Sequence, residues 1–282
     1  MSSLQDFLRY CRELLKKNGV DAPELSAEVI FSFSLGMSRL ELLISDLLLS
    51  REEKSRIMTL IKRRCRGEPL AYLVGEKEFF GLSFKVTPAT LIPRPETETL
   101  VEVVLDLYPR HAPLVFADCG AGCGNICITL LKILPCARAV ATDLSQEALY
   151  VLKENSALHR VTERLLMVQT DLLSCVKRAS LDLVVSNPPY LSPLFLENIQ
   201  ESVVEFEPSL ALFGGEMGHE TPAKLLNEAW EVLRRGGYLV MELDRAQLIA
   251  KEEVFSLSQG WHHIRVYKDL MGNDRVLVVR KM

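Results

Sequence analysis

The first 70 residues carry apolar side chains at helical spacing and show no alternation of β-branched residues. This pattern predicts an amphipathic helix near the start of the chain, with apolar positions at Leu4, Phe7, Leu8, Leu14 and Leu15. Pro23 suits the first turn of a second helix that runs to about residue 35. Ser38 and Ser50 suit the caps of a third and a fourth helix. The segment therefore predicts a small helical bundle, which we assign to residues 1–73.

The pattern then changes to one that is typical of strands. Apolar residues alternate with smaller or polar ones across residues 77–87, and Gly81 suits a turn, so this stretch predicts a β-hairpin. Residues 91–98 contain two prolines, which predict an extended connector that opens into a helix. We assign residues 74–92 to the hairpin and connector, and residues 93–282 to a larger domain.

From residue 114 onward, short apolar segments alternate with amphipathic ones. The predicted strands cover residues 114–117, 137–142, 165–169, 181–186 and 238–243, and the predicted helices cover residues 125–134, 146–158 and 222–233. Such alternation predicts a mostly parallel sheet covered on both faces, closed by an antiparallel pair at residues 263–267 and 275–280. The fold class is therefore α/β and Rossmann-like, and such sheets bind ligands at the carboxyl ends of their strands.

The composition is that of an ordinary globular protein, with 48% hydrophobic and 25% charged residues over 282 positions. The start of the chain lacks the pattern of a secretory signal, and no apolar run approaches the roughly 20 residues of a membrane span. We therefore expect a cytoplasmic protein without membrane contact. Seven cysteines are an odd number, which argues against a disulfide framework. The spacing of Cys119, Cys123 and Cys127 matches no common zinc motif, so we expect no metal site.

The charge balance does not favour stable binding to nucleic acid. Lys and Arg number 33 against 37 Asp and Glu, which gives a formal net charge of −4. One basic run, residues 56–66, has apolar residues at helical spacing. This run is either a solvated helix face or a contact for an acidic or RNA-bearing partner. We expect the protein to be a monomer.

A glycine-rich loop follows the first strand of the predicted sheet and opens the next helix. Its residues are Asp118, Cys119, Gly120, Ala121, Gly122, Cys123 and Gly124. Glycines let the backbone turn tightly and approach a ligand, and the N–H groups of the helix N-terminus attract an anion. Asp143 ends the next strand, where a carboxylate can accept both ribose hydroxyls of an adenosine ligand. The loop and Asp143 together predict a site for an adenosine-containing cofactor.

The acidic residues near this loop favour S-adenosylmethionine over a dinucleotide. The loop has the spacing G-x-G-x-G rather than G-x-G-x-x-G, and Asp118 would repel a pyrophosphate but suits an ammonium or sulfonium group. Asp171 ends the third strand, where it can accept from the adenine amino group, and Leu172 can lie beside the ring. Each aspartate alone could instead form a turn at the end of a strand. The prediction of S-adenosylmethionine therefore depends on all three, Asp118, Asp143 and Asp171, which follow three successive strands in order.

Four residues at the end of the fourth strand carry the clearest chemistry: Asn187, Pro188, Pro189 and Tyr190. An isolated motif of this kind could be a proline-stiffened turn, but this one lies at the sheet edge where the cofactor loop is predicted. An NH2 group conjugated to a carbonyl or a ring is a poor nucleophile because its lone pair is delocalised. The Asn187 oxygen and a proline-fixed carbonyl can each accept one N–H and orient that lone pair. Tyr190 can pack against the flat group. The motif therefore predicts N-methylation of an amide or an exocyclic amine.

These features resemble the HemK-type methyltransferases, which modify the glutamine of the Gly-Gly-Gln motif in peptide chain release factors. The most specific segments are residues 68–80 and 91–98, and residues 207–215 and 268–275 also look like the family. The resemblance covers nearly the whole chain. It implies a class I S-adenosylmethionine-dependent methyltransferase domain, a hairpin linker and an N-terminal helical bundle. We expect this bundle to help dock the release factor, because it lies beside the connector.

The resemblance also implies site residues and a product, S-adenosylhomocysteine. Positions 120–124 would hold the methionine part, Asp143 the ribose, and Asp171 with Leu172 the adenine. The motif from Asn187 to Tyr190 would grip the substrate amide beside the cofactor. Arg94 and Pro95 would line the pocket. Ala121 and Cys123 stand where the family usually has hydroxyl residues, and Met217 stands where an aspartate is common.

Two other functions remain open from the residues alone. An adenine-N6 or cytosine-N4 methyltransferase of nucleic acid would use the same four-residue motif, although the acidic charge and the absence of an added base-recognition segment count against it. A protein that binds S-adenosylmethionine or a translation factor without catalysis would have no need of the intact motif at Asn187.

Overall fold

The computed structural model describes residues 3–45, 47–194, 200–244 and 260–282. The chain forms two compact units, Met1–Glu76 and Lys77–Met282. In the part of the chain that the structure describes, no helix combines the length and the apolar character needed to cross a membrane.

The first unit is built mainly from helices. Its helices are α1 (Leu4–Lys17), α2 (Pro23–Leu35), α3 (Arg39–Ile44), α4 (Arg51–Arg64) and α5 (Leu70–Val74). Ser38 and Ser50 cap α3 and α4 as predicted, each in a capping box with a glutamate three residues later. Buried leucines, isoleucines and Phe31 from these helices form one core. Part of the predicted basic run is neutralised within this unit, because Arg63 Nε donates to Glu68 at 2.7 Å.

A two-stranded hairpin follows, with β1 at Glu76–Phe79 and β2 at Leu82–Lys85. Phe80 (φ 51°) and Gly81 (φ 72°) form its turn. Positive φ at both central residues matches the right-handed twist of a tight hairpin, which is why glycine is required at one of them. A 3-10 turn at Pro95–Thr97 then leads into α6 (Glu98–Leu107).

The second unit is built on a seven-stranded sheet with the order β5-β4-β3-β6-β7-β9-β8 among the described residues. The strands are β3 (Val115–Cys119), β4 (Arg138–Asp143), β5 (Leu165–Gln169), β6 (Leu181–Ser186), β7 (Leu233–Glu242), β8 (Trp261–Lys268) and β9 (Asp274–Lys281). The pairs from β5 to β7 are parallel, and β9 pairs antiparallel with both β7 and β8. The predicted parallel sheet with a closing antiparallel pair is confirmed.

Helices lie in the connections from β3 to β4, from β4 to β5 and from β6 to β7: α7 (Asn125–Ile133), α8 (Gln146–Leu158), α9 (Glu201–Phe206), α10 (Ser209–Leu212) and α11 (Glu220–Val232). The chain continues from β3 to β4 and β5 on one side, and then crosses to β6 and β7 on the other side. This reversal at β3 is a topological switch point, and it opens a crevice at the carboxyl edge of the sheet.

One strand begins earlier than predicted. β7 starts at Leu233, whereas the apolar pattern predicted a strand from residue 238. Its pairing with β6 shifts register between Leu181 and Leu183, so the intervening residues form a bulge. Gly236 and Gly237 contribute no apolar side chain to the pattern, which is why the sequence did not indicate the first half of this strand.

Candidate active site

A cavity of about 350 Å³ lies at the carboxyl edge of the parallel strands in the second unit. Its walls come from the connector before α6, from the loop after β3, and from the residues that follow β4, β5 and β6, together with residues 208–213. Parallel strands end at the same edge, so segments that are far apart in sequence converge there.

The structure brings most of the predicted site residues to this one cavity. Those that line it are Arg94, Gly120, Ala121, Gly122, Cys123, Asp143, Asp171, Leu172, Asn187 and Pro189. Five others are not part of its lining: Pro95, Asp118, Gly124, Pro188 and Tyr190. Pro95 starts the 3-10 turn before α6. Gly124, Pro188 and Tyr190 are chain neighbours of residues that line the cavity, and Asp118 lies two positions before Gly120.

The glycine loop presents bare backbone to the cavity. Gly120 (φ +69°) and Gly122 (φ +55°) have left-handed backbone conformations, and an added Cβ at either would meet no atom within 4 Å. The N–H groups of Gly120 and Ala121 donate to Thr142 O at 2.8 and 3.0 Å, which pins the loop to the end of β4. Gly124 differs, because a Cβ there would lie 2.9 Å from a side-chain carbon of Ile128. The first two glycines therefore leave space for a ligand, and the third allows close packing.

Asp143 ties the glycine loop to the start of α8. Its Oδ2 accepts from the N–H of Gly122 at 2.8 Å and its Oδ1 accepts from the N–H of Ser145 at 2.9 Å. Burial raises the pKa of this carboxyl above its ordinary value, against the effect of these backbone hydrogen bonds. Each carboxylate oxygen keeps a second lone pair, so the group can also accept from a vicinal pair of hydroxyls.

Asp118 lies behind the loop. Its side chain is fully buried, and its Oδ2 accepts from the N–H of Cys127 at 3.0 Å in the first turn of α7. Burial raises its pKa to about 7. The sequence assigned Asp118 to an ammonium or sulfonium group, whereas the structure places its carboxylate against the N-terminus of α7. A negative group there interacts favourably with the helix dipole.

At the adenine end that the sequence predicts, Asp171 forms an ion pair with Lys224 of α11, with 2.5 Å between Nζ and Oδ2. The sequence analysis did not identify Lys224. Both side chains are more than half exposed, so the pair contributes little to stability. Asp171 lines the cavity, so this ion pair places the positive charge of Lys224 next to the cavity wall.

The four-residue motif divides between the cavity and the protein interior. Asn187 lines the cavity, and its Nδ2 donates to Thr97 Oγ1 at 3.1 Å. Tyr190 is not part of the cavity lining, and its hydroxyl donates to Glu242 Oε1 at 3.4 Å. Burial raises the pKa of Tyr190, so the group is a neutral phenol at ordinary pH. The sequence analysis did not identify Thr97 or Glu242 as site residues.

A buried acid also supports the predicted pocket residue Arg94. Glu207 is only 1% exposed at its side chain, forms an ion pair with Arg94, and accepts from the N–H of Ile92 at 3.1 Å. This acid connects two walls of the cavity that are more than 100 residues apart in sequence. The Glu-Pro pair at positions 207 and 208 was visible in the sequence, but the spacing of residues could not predict that Glu207 pairs with Arg94.

Both compact units match known families. Residues 6–75 match the PrmC N-terminal domain, and residues 97–206 match the Methyltransferase small domain. A release factor glutamine methyltransferase of Nitratidesulfovibrio vulgaris is 40% identical to this chain over 99% of the chain and 96% of its own length. The enzyme of the same name from Koribacter versatilis is 39% identical over 92% of each.

The chain belongs to the release factor glutamine methyltransferase family. The predicted family resemblance is thereby confirmed, and so is the predicted class of S-adenosylmethionine-dependent methyltransferases. Solved structures confirm the class I fold. A methyltransferase from Pyrococcus furiosus aligns with a TM-score of 0.54 at 21% identity, over 73% of this chain and 91% of its own. The hMettl16 catalytic domain aligns with a TM-score of 0.56 at 18% identity, over 84% and 83%.

The residues present fit the methyl donor of this family. The open backbone at Gly120 and Gly122 leaves space for a ligand, and Asp143 offers lone pairs for two hydroxyls. Leu144 and Leu172 offer apolar surface for a flat base, on a wall that also carries the polar residues Ser145, Thr170 and Asp171. Within the described ranges, no group of three or more His, Cys, Asp or Glu side chains is placed to hold a metal ion.

Proposed function

We propose that this protein transfers a methyl group from S-adenosylmethionine to the side-chain amide nitrogen (N5) of the glutamine in the Gly-Gly-Gln motif of peptide chain release factors. The observation that carries the proposal is that Asn187 and Pro189 lie on the wall of the same cavity as Gly120 and Gly122. A site for a planar NH2 group and a site for an adenosine cofactor are therefore adjacent. Family membership supports the release factor substrate and does not favour the nucleic-acid alternative.

The chain's own residues have two tasks in this reaction. Asn187 and a backbone carbonyl of the motif accept the N–H groups of the substrate amide, which fixes its nitrogen and reduces delocalisation of its lone pair. The prolines preset the backbone, so little reorganisation accompanies the reaction. When bound, S-adenosylmethionine supplies the methyl group: the nitrogen lone pair forms the new N–C bond, sulfur keeps the electrons of the broken S–C bond, and one N–H proton passes to water.

We assign the cofactor residues in the same way. Positions 120–124 hold the methionine part, Asp143 the ribose hydroxyls, and Asp171 with Leu172 the adenine. Asp118 supports this loop from behind through its hydrogen bond to Cys127.

On the substrate side, we assign Arg94, Asn187 and Pro189 to the wall of the pocket, and Pro95, Pro188 and Tyr190 to the segments that support this wall. The connector segment that contains Arg94 forms one wall of the cavity.

The wider setting is also part of the proposal. We infer that the helical bundle, residues 1–73, docks the release factor, and that the hairpin and connector, residues 74–92, lead into the methyltransferase domain, residues 93–282. The substrate is a translation factor, so we place the activity in the cytoplasm. The net charge of −4 supports a protein that does not bind nucleic acid stably, and we expect it to act as a monomer.

The test is incubation of the purified protein with S-adenosylmethionine and an unmodified release factor, followed by peptide mass spectrometry. We expect one added methyl group on the Gly-Gly-Gln glutamine, and none with Asn187→Ala, while cofactor binding by that variant persists. An unmethylated glutamine with a wild-type protein that binds the cofactor would refute the proposal, and RNA would be the next substrate.

A further inference from the structure

A set of buried polar side chains leads from the cavity wall into the protein interior behind the four-residue motif. Asn187 stands at the cavity end, and its Nδ2 is 3.1 Å from Thr97 Oγ1. Thr97 is 1% exposed and closes the 3-10 turn before α6. Behind it, Glu242 at the end of β7 is also 1% exposed, and its Oε1 accepts from the Tyr190 hydroxyl at 3.4 Å.

The orientation of the Asn187 amide decides whether this residue can serve the reaction. The two ends of the amide have nearly the same shape, but one accepts hydrogen bonds and the other donates them. A substrate NH2 group needs the oxygen. If Asn187 turned its nitrogen to the cavity, two donors would face each other and the substrate nitrogen would not be held. Packing alone does not distinguish these two orientations, so a hydrogen-bond partner has to do so.

Thr97 is that partner, and Glu242 decides how Thr97 behaves. A threonine hydroxyl can donate or accept, so by itself it would satisfy either end of the Asn187 amide. Glu242 lies close to this hydroxyl, and that interaction opposes the burial that raises the carboxyl pKa. Its Oε2 is buried and has no direct hydrogen-bond partner among the described residues. A carboxylate only accepts, so a negatively charged Glu242 near the hydroxyl favours the orientation in which the Thr97 proton points towards the acid and a lone pair is left for the Asn187 NH2 group.

We propose that Thr97 and Glu242 are positioning residues that orient the Asn187 amide so that its oxygen faces the substrate amide. The inference rests on the proposed function, because it assumes that Asn187 accepts from an amide of the substrate. Neither residue needs to touch the transferred methyl group. The Tyr190 hydroxyl donates to Glu242 Oε1, which helps to keep the carboxylate in place at the end of β7.

The main test compares Thr97→Val with Thr97→Ser in the full-length protein. Valine keeps the shape and removes the hydroxyl, whereas serine keeps the hydroxyl. We expect Thr97→Val to lower kcat on the release factor by about 10- to 100-fold, since misorientation of a positioning group costs about that much. Thr97→Ser should recover most of the activity. The dissociation constant for S-adenosylmethionine, measured by calorimetry, should change less than about twofold in both variants, because Thr97 acts on the Asn187 amide. A tenfold change in this constant would correspond to about 1.4 kcal/mol.

The pH profile supplies a readout that a merely structural role would not change. Burial raises the pKa of Glu242 to about 7. The charged and titratable groups that act on it are Arg275 of β9, which lowers the pKa, Glu96 of the 3-10 turn, which raises it, and the Tyr190 phenol. Arg275 in turn donates to Asp269 at 3.2 Å. Below pH 7 a protonated Glu242 becomes a donor, so kcat should rise with pH through about 7.

Glu242→Gln should remove that step, because its amide does not titrate, and it should also lower kcat since the amide NH2 can donate to Thr97. If Thr97→Val fails to fold, Glu242→Gln tests the positioning role instead. Wild-type kcat in Thr97→Val, or a pH step that persists in Glu242→Gln, would overturn the inference while the proposed function stands. A wild-type protein that leaves the release factor unmethylated would overturn the proposed function itself.

Discussion

Asn155 of α8 holds the hairpin and the glycine loop together, and its replacement by leucine should destabilise the second unit. The side chain is fully buried. Its Nδ2 donates to Lys85 O at 2.9 Å and to Cys123 O at 2.8 Å, and its Oδ1 accepts from the N–H of Lys85 at 2.8 Å. One amide thus serves backbone groups of β2 and of the cofactor loop. Leucine has a similar volume and can form none of these bonds.

The size of the effect follows from these three bonds. A typical hydrogen bond contributes about 1 kcal/mol net, and a buried group left without a partner costs about 1–3 kcal/mol. The Cys123 carbonyl is buried, so it should lie at the upper end, whereas Lys85 is an exposed residue and water can reach its backbone more easily. We therefore expect Asn155→Leu to lower the free energy of unfolding by about 3–5 kcal/mol.

Urea unfolding followed by tryptophan fluorescence is the appropriate assay. Trp230 and Trp261 are the two tryptophans of the chain, and both belong to the second unit, so the signal reports on that unit. Glu154→Gln is the matched control. Glu154 precedes Asn155 and also links to Lys85, through an exposed ion pair with 2.8 Å between Nζ and Oε2. Its loss should cost less than about 1 kcal/mol.

A loss of less than about 1 kcal/mol in Asn155→Leu would refute the reasoning. It would mean that water or a rearranged hairpin satisfies the Lys85 and Cys123 backbone groups without the amide. A similar loss in the control would show that the hairpin attachment as a whole, rather than the buried amide, is what matters.

Three further predictions concern buried groups around the cavity. Burial raises the Asp118 pKa from 3.8 to about 7, so this group's contribution to stability is fully present below its unfolded pKa and is lost as the pH rises through about 7. Relative to Asp118→Asn, thermal or urea unfolding of the wild type should therefore show a loss of about 3 kcal/mol between pH 5 and pH 8, and a pH-independent difference would contradict this. Gly124→Ala forces a residue with φ +84° and places a Cβ 2.9 Å from Ile128, so it should lower the melting temperature, and an unchanged value would show that the helix start adapts. Glu207→Ala removes the buried acid that pairs with Arg94 and should destabilise the unit by about 3–5 kcal/mol in urea unfolding, whereas an effect near zero would mean that the guanidinium is free to turn into solvent.

The local elements were the most predictable part of this protein. Helix caps at Ser38 and Ser50 and the order of strands and helices after residue 114 follow from local backbone preference and from the period of the apolar residues. The two sequence features that suggested chemistry, the glycine loop and the motif at Asn187, also form one cavity as expected. Where apolar period was lacking, as at the bulged start of β7, the prediction missed part of a strand.

The polar residues behind the site could not be predicted in the same way. Thr97 contacts Asn187, and Glu242 contacts Tyr190. These contacts form only because the turn before α6 and the ends of β6 and β7 meet at one edge of the sheet. Glu207 pairs with Arg94 across more than 100 residues. Asp118 shows the converse: its place beside the glycines suggested ligand contact, but the strand direction buries its carboxylate against α7.

By itself, the amino-acid sequence determined the kinds of elements, the family, and the two segments that carry the chemistry, because these depend on neighbouring residues and their spacing. Only the tertiary structure decided which buried acid serves which cavity residue, and which aspartate faces the ligand space. Those contacts join residues far apart along the chain, and each side chain's direction is set by the packing of whole strands and helices. The orientation of the Asn187 amide is such a property, since it depends on the groups that folding places behind it.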